Sequence, residues 1–528
     1  MASSNILSVI LLLLLITGNG LSQPAAADDR DTLLAVKKDW DSPQQLASWN
    51  PASAANHCTW LGVKCASGRG NNDGGGVVEE LSLSGLNLIG TVPASVCALK
   101  SLTRLDLSYN NLSGVFPTGL YACARLRFLD LSNNAFAGPL PADIDGLSPA
   151  MEHLNLSTNS FDGTVPAAVT RLLALKSLLL DTNGFTGAYP AAEISDLAWL
   201  EVLTLADNPF TPAPVPPEFA KLTNLTYLWL SGMNLTGEIP EAFSSLTKLS
   251  LIAMAANQLT GSIPAWLWQH RKLEFVSLFD NRLSGELPRN ITALNFIELD
   301  LSINQLTGCI PDGFGNLKNL TLLFLYKNQF TGTIPSSVGL MQQLIDIRLF
   351  NNHLSGELPP ELGKHSPLAY LEVGNNNLSG PLPEALCTNG KLRMIIAFNN
   401  SFSGELPASL GNCVDLNYLD LSMNRFSGTI PTSIKLLKNL SSLNLSSTGL
   451  SGHIPTSIKP LKNLMSLNLS GNHLSGPIPT WIERLESLVS LDLSNNRLSG
   501  AIPAGSIGLL QNLRRLDLSD NQFSTIRW

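Results

Sequence analysis

The stretch Leu419–Ser442, LDLSMNRFSGTIPTSIKLLKNLSS, decides the fold, because the chain repeats it almost from end to end. Numbered from its first leucine, Leu419 and Leu421 at positions 1 and 3 alternate with polar residues, as in a short strand with one buried face. Asn424 at position 6 falls where the chain must bend, and its amide can satisfy backbone groups inside that bend. Phe426, Ile430, Ile434, Leu437 and Leu440 supply the remaining apolar points, with Gly428 and Pro431 punctuating the middle. One such segment cannot bury a one-sided apolar set alone. Only a copy above and a copy below can cover it, so the expected fold is a solenoid.

The copies begin at Leu81, Leu105, Leu129, Leu154, Leu178, Leu203, Leu228, Ile252, Val276, Leu299, Leu323, Ile347, Leu371, Ile395, Leu419, Leu443, Leu467, Leu491 and Leu516, spaced 23 to 25 residues apart. All but those at Leu203 and Leu516 carry Gly-x-hydrophobic-Pro, from GTVP at Gly90 to GAIP at Gly500. This is the leucine-rich repeat signature, and the added S-G-x-I-P resembles its plant-specific class. The expected fold class is therefore α/β: a leucine-rich repeat solenoid of the plant-specific class, a curved superhelix with a parallel inner β-sheet and an N-terminal disulfide cap. Nineteen strands about 4.8 Å apart make a sheet very roughly 90 Å long. The organisation reads as a signal peptide over 1–27, a cap over 28–80, the solenoid over 81–515 and an incomplete terminal repeat over 516–528. The repeat at Leu203 departs from the rest, its DNPFTPAPVPPEF replacing Ser-Gly with a proline-rich detour. The last repeat stops at Trp528 with only its first half present, so Leu516, Leu518, Phe523, Ile526 and Trp528 are expected to face water and the chain to read as cut.

Charged residues make up 14% of the 528 and the net charge is −8, against about 25% charged in ordinary domains. That balance argues against nucleic acid, which needs a basic patch. Ile6 to Ile16 is an apolar run too short to span a bilayer, followed by small residues at Ala25–Ala27, the pattern of a secretory signal. No other stretch reaches membrane-spanning length. Secretion gives meaning to the Asn-x-Ser/Thr sites. Asn111, Asn224, Asn234, Asn290, Asn319, Asn377, Asn399 and Asn439 are the preferred glycan acceptors, since Asn155, Asn444 and Asn468 fall at position 2, inside the packed inner sheet.

Residues 28–80 carry DTLLAVKKDW, with Leu33, Leu34, Val36 and Trp40 at mostly helical spacing, then CTWLGVKC. In an oxidising compartment Cys58 and Cys65 read as a disulfide closing a cap over the exposed end of the core. The Gly/Asn-rich stretch between Ala66 and Gly76 reads as a mobile loop. Cys97 and Cys123 stand 26 residues apart, as do Cys387 and Cys413. One repeat plus two residues places each pair on adjacent turns, within disulfide reach, and leaves Cys309 free.

Nothing in the sequence assembles a catalytic site: the seven histidines fall at unrelated repeat positions, and no H-E-x-x-H, G-x-S-x-G, phosphate-binding loop or kinase signature appears. The expectation is a non-enzyme without metal or cofactor. Binding is the better reading, because the inner sheet offers a long concave surface. Positions 2, 4 and 5 of each repeat point out of it. The ends are bland, as at Asp106/Ser108 and Asp492/Ser494. The middle carries Trp229, Phe279, Phe324, Tyr326, Lys327, Arg348, Phe350, Glu372, Ile396 and Phe398. Exposed aromatics and arginine are the usual hot-spot types, and Lys327 with Arg348 could take an anionic group. Two plainer readings compete: the rings pack on one another and bind nothing, or Asp346 simply pairs with Arg348.

The C-x-W-x-G-V-x-C cap, the repeat class and the paired cysteines resemble the extracellular domains of plant leucine-rich repeat receptor-like kinases, most closely the HAESA-like, peptide-sensing group. SVCALKSLTRLDLSYNNLSGVFPTGLYACARL and ALCTNGKLRMIIAFNNSFSGELPASLGNC carry the likeness. The resemblance implies a secreted peptide or protein ligand extended along the inner face, a co-receptor kinase engaging near the C-terminal repeats, and a secreted or cell-surface location. The family continues into a membrane helix and a Ser/Thr kinase, which this sequence lacks. Several members hold the peptide carboxylate with an Arg-x-Arg, and here those places are Tyr418 and Asp420. The competing reading is a soluble secreted interaction protein, a decoy receptor or a cell-wall enzyme inhibitor.

Overall fold

The computed structural model describes residues 28–52, 56–66 and 76–524. The expected signal peptide, nearly all of the Gly/Asn-rich insert, and Ile526 and Trp528 lie outside the described residues. Two compact units are present, Met1–Asp162 with Arg171–Leu175, and Gly163–Thr170 with Lys176–Trp528.

In the first unit the helix Asp29–Asp39 buries Leu33 and Val36. The indole of Trp40 donates to the Thr91 carbonyl at 2.8 Å and that of Trp49 to Leu61 at 2.9 Å, so both rings are fixed at their polar ends. Cys58 and Cys65 are joined, and the strand Val63–Cys65 between them pairs antiparallel with Val78–Ser82. The cap thereby occupies the first edge of the sheet, the place where unpaired backbone would otherwise be exposed. From Val78–Ser82 the strands Arg104–Asp106, Phe128–Asp130 and His153–Asn155 follow in parallel, each leucine aligned with the one before. Cys97 and Cys123 are disulfide-bonded with Cα atoms 4.7 Å apart.

The second unit continues the same pattern over fifteen parallel strands from Ser177–Leu179 to Arg515–Asp517 among the described residues. Registers hold at one repeat per strand: Leu299 faces Leu323, Leu323 faces Ile347, Ile347 faces Leu371. Positions 1 and 3 are buried in every repeat of this run but the last, as alternation on a one-sided strand requires, whereas Leu516 is exposed and Leu518 half-buried, as expected for an uncovered terminal repeat. The opposite side of each coil is mostly a short 3₁₀ turn, such as Thr432–Leu436, led by the Pro of the G-x-I-P element. Proline fixes φ there and gives up an N–H that no ladder needs. Cys387 and Cys413 form the second staple, Cα atoms 4.9 Å apart, and Cys309 is free and exposed. The proline-rich detour of the Leu203 repeat keeps a two-residue strand, Ala213–Pro214, paired with Leu235 and Thr236.

Asparagine at position 6 does more than close its own bend. The Asn328 Nδ2 donates to Leu325 and Tyr326 of its own repeat and to Leu301 of the preceding one, while its Oδ1 accepts the N–H of Leu306 at 3.0 Å. Asn281, Asn352, Asn400 and Asn424 reach back in the same way. The preceding residue, position 5, is left-handed in every repeat, with Lys327 at φ 51 and even the β-branched Ile303 at φ 53. That geometry is unfavourable for such residues, so the ladder imposes it.

His270 is a structural histidine. Its Nε2–H donates to the Leu246 carbonyl at 3.0 Å, and its Nδ1 accepts from the N–H groups of Lys272 and Leu273. A proton on Nδ1 would remove both acceptances, and burial already holds the ring below its usual 6.5. A histidine lowered on folding stabilises fully above about pH 6.5 and loses that contribution as the pH falls, because the unfolded chain protonates first. The melting temperature should therefore drop between pH 7 and pH 5.5, and His270→Gln should flatten that slope whatever it does to absolute stability.

Asn328→Ala should cost about 1–3 kcal/mol, the penalty for buried backbone groups left unpaired. Amide exchange should show it first at Leu306, while Gln329→Ala on the next, exposed position should be near neutral.

Candidate functional site

The solvent side of the sheet in the second unit is built by four columns. Three are positions 2, 4 and 5. The fourth is the residue before the first leucine, which period-2 alternation sets on the same face but which numbering from that leucine hides. It contributes Tyr227, Phe275, Glu298, Leu322, Asp346, Tyr370 and Tyr418, each the first residue of its strand.

Of the expected residues, five meet. Tyr326 and Phe350 stack with ring centroids 4.4 Å apart and planes 10° from parallel. Phe324 stands 6.4 Å from Tyr326 at 55°. The Arg348 guanidinium lies 4.9 Å above the Phe324 ring, a cation–π placement. It also donates from Nη2 to Asp346 Oδ2 at 2.8 Å and from Nε to Oδ1 at 3.1 Å, and its Nε stands 3.4 Å from Glu372 Oε1. The register explains the convergence, since Phe324, Arg348 and Glu372 are direct neighbours on consecutive strands.

The other expected residues are elsewhere on the face. Phe398 is half-buried and lies over the bare backbone of Gly374, where a Cβ would come within 2.8 Å of the ring. Trp229 and Phe279 are half-buried on the strands or turns of earlier repeats, and Lys327 is exposed with no ion pair among the described residues. At Tyr418 and Asp420, where the resemblance implies cations, Asp420 accepts from the Ser422 hydroxyl at 2.6 Å and from Asn444 Nδ2 at 3.0 Å.

Both plainer readings hold in part. Tyr326 and Phe350 do pack on each other, yet Phe324, Tyr326 and Phe350 all stay half-exposed. Asp346 does pair with Arg348, and its side chain is only 7% exposed. The sequence understated this pairing by treating it as a surface one. Burial pushes the Glu372 carboxyl above its usual range, Arg348 pulls it back, and Asp346 pushes it up again. Desolvation likewise raises Asp300 against the pull of its Ser302 hydrogen bonds and of Arg348. Arg348 is thus committed to neutralising its neighbours.

Beyond the face, Asn111, Asn234, Asn290, Asn319, Asn377, Asn399 and Asn439 are exposed and Asn224 half-buried, whereas Asn155 is buried and bonded to Asp130. At the cap, His57 stands near Cys58 and Cys65, but the two sulfurs are bonded to each other and His57 Nε2 contacts the Gly76 carbonyl at 2.7 Å. Among the described residues no helix is long and apolar enough to cross a membrane.

Models of known families match over much of the chain: the leucine rich repeat N-terminal domain at residues 26–66, the leucine rich repeat at 77–136 and twice more in the middle, and a leucine-rich repeat region at 403–525. Receptor-like protein 52 of Arabidopsis thaliana is 43% identical over 299 residues, 57% of this chain and 30% of that protein, so the chain spans well under half of that relative. Polygalacturonase inhibitor 2 of Phaseolus vulgaris is 38% identical over 85 residues, 16% of this chain and 24% of the inhibitor. Among solved structures, the Arabidopsis receptor kinase HAESA, in complex with the peptide hormone IDA and the co-receptor SERK1, superposes with a TM-score of 0.88 at 38% identity, covering 94% of this chain and 82% of that one.

Arg348→Met should destabilise the second unit by about 1–3 kcal/mol, less than for a fully buried pair because the guanidinium is partly solvated. Adding Asp346→Asn should recover most of the loss in denaturant melts, since the cost arises from the stranded carboxylate.

Proposed function

The chain belongs to the family of plant leucine-rich repeat receptor ectodomains, and from that premise we propose that it recognises a secreted peptide laid across the strands between Trp229 and Phe398. The observation that carries the reading is the half-exposed Phe324, Tyr326 and Phe350 cluster on a face whose last repeats, from Asp420 to Ser519, carry Asp, Asn and Ser at positions 2 and 4. Rings left in water are costly to solubility unless something covers them, and aromatics beside an arginine are the usual anchors of binding energy. The HAESA complex, with its peptide hormone and co-receptor, supports a peptide ligand and a co-receptor kinase as partners. The disulfides support an extracellular setting. We assign the chain no catalytic role.

The span gives the ligand a length. Trp229 to Phe398 crosses seven strand spacings, roughly 34 Å at about 4.8 Å each, or about ten extended residues at 3.3–3.4 Å per residue. The short match to a polygalacturonase inhibitor favours a second reading, a secreted inhibitor of a wall enzyme, which would use a protein surface in place of a peptide.

A library of synthetic dodecapeptides screened against the full secreted chain tests the choice. Peptides that bind should lose about thirtyfold in affinity by calorimetry on Phe324→Ala or Phe350→Ala, the loss of a hot-spot residue, and almost nothing on Ser494→Ala. Equal affinities for all three would move the site off this face.

A further inference from the structure

Between Trp229 and the Phe324 cluster the face holds a depression of about 180 Å³. Ala253 and Ser277 at position 2 are too small to fill it, and Glu298 and Asp300 line it from the strand between those of Phe275 and Phe324. The register sets these residues side by side, Phe275 next to Glu298, Ser277 next to Asp300, and Asp300 next to Phe324. The space corresponds to on the order of six waters at ~30 Å³ each, enough for the end of one long side chain.

The chemistry of this lining strand is anionic. Neither Glu298 nor Asp300 makes an ion pair among the described residues, and Arg348, the cation that acts on Asp300, is held by Asp346 and Glu372. Asp300 spends Oδ1 on the hydroxyl and N–H of Ser302. The wider strip from Trp229 to Phe398 carries five carboxylates (Asp280, Glu298, Asp300, Asp346, Glu372) against Lys327 and Arg348, an excess of three negative charges over the four columns.

The protein itself shows what such a setting holds. Arg348 lies over Phe324 and pairs with Asp346. In the first unit Arg104 lies over Phe128, 3.4 Å from the ring centre, and stands 3.5 Å from Asp106. Both are a guanidinium on a phenylalanine face with a carboxylate at its edge. The depression offers the same two ingredients, Phe275 with Glu298 and Asp300, and has no arginine over that ring.

Resting on the peptide reading above, we propose that the ligand is a basic peptide and that one of its arginine or lysine side chains enters this depression, its cation against Asp300 and Glu298 and its methylenes against Phe275. This reverses the sequence expectation of an anionic group taken by Lys327 and Arg348, because Arg348 is already neutralised. It also sets selectivity: an acidic side chain here would meet two unpaired carboxylates, and repulsion of that kind rejects wrong ligands as effectively as attraction selects right ones.

The dodecapeptide library serves as the probe, with the full secreted chain as receptor. Bound peptides should be enriched in arginine and lysine. In the tightest, replacing the arginine by citrulline, equal in shape and uncharged, should weaken binding tenfold or more. Asp300→Asn should do the same to the arginine peptide and nothing to the citrulline peptide, the non-additivity that marks a direct contact. Glu298→Gln, on an exposed side chain, repeats the test where folding is not at stake, and Asp492→Asn, outside the strip, should change nothing. Peptides that bind through Phe350 yet show no basic enrichment, or additive citrulline and Asp300→Asn effects, would overturn the cationic subsite and leave the peptide reading standing. No bound peptide, or binding indifferent to Phe350→Ala, would overturn that reading and this inference with it.

Discussion

Everything in this protein depends on a buried side-chain amide that bonds between repeats. Within one coil, Asn328 closes a bend, which any of several turn residues could do. Across the coils, the same amide donates from Nδ2 to the Leu301 carbonyl and accepts the N–H of Leu306 at Oδ1. Those two bonds fix how far one repeat can slide or rotate on the next. Where the asparagine is missing, the asparagine of the following repeat accepts an additional N–H. Met233 holds the position in one repeat, and Asn257 of the following repeat accepts from both Met233 and Leu235. Thr448 holds it in another, its hydroxyl within 2.9 Å of both the Leu445 carbonyl and the Asn472 oxygen, which also accepts from the N–H groups of Thr448, Gly449 and Leu450.

Phase-locking turns a sequence repeat into columns of side chains. Since Leu299, Leu323, Ile347 and Leu371 must align, Asp300, Phe324, Arg348 and Glu372 align as well, one strand spacing apart. The core positions are constrained by burial, and position 5 by a left-handed backbone that even Ile303 adopts. The other outward positions, 2, 4 and the residue before the first leucine, carry no such duty. They are free to vary without disturbing the fold, which is why aromatic and charged residues can be concentrated on a few consecutive strands.

This division explains what could be read from the chain alone. Repeat length, strand alternation, bend asparagine and paired cysteines are each local, and they recur, so the eye can average over many copies. The Phe324, Tyr326 and Phe350 cluster was visible for the converse reason, as a departure from Asp and Ser at positions otherwise alike. The commitment of Arg348 was harder. It depends on Glu372, a whole repeat away, and on Asp346, whose burial comes from its neighbours and not from its own sequence. The depression at Ala253 and Ser277 was invisible, because it is made by what two small residues leave unfilled and by Phe275 in a column that the repeat numbering did not count.

The columns also act as a ruler against an extended ligand. Strands repeat about every 4.8 Å, while same-side residues of an extended peptide repeat about every 6.6–6.8 Å. Three strand spacings, about 14 Å, match two such peptide steps, so side chains come into register with the face only at every third repeat. The Ser277 strand and the Phe350 repeat are separated by three spacings along the register from Val276 through Leu299 and Leu323 to Ile347. A peptide crossing the strands would therefore meet the anionic depression with one side chain and the Tyr326–Phe350 pair with another four residues along. A long side chain entering over Ser277 would carry its cation one strand further, to Asp300 beside Phe324. On the proposed reading the face would select by spacing as well as by charge: a cation and an apolar group at the wrong interval would satisfy either feature alone and not both together.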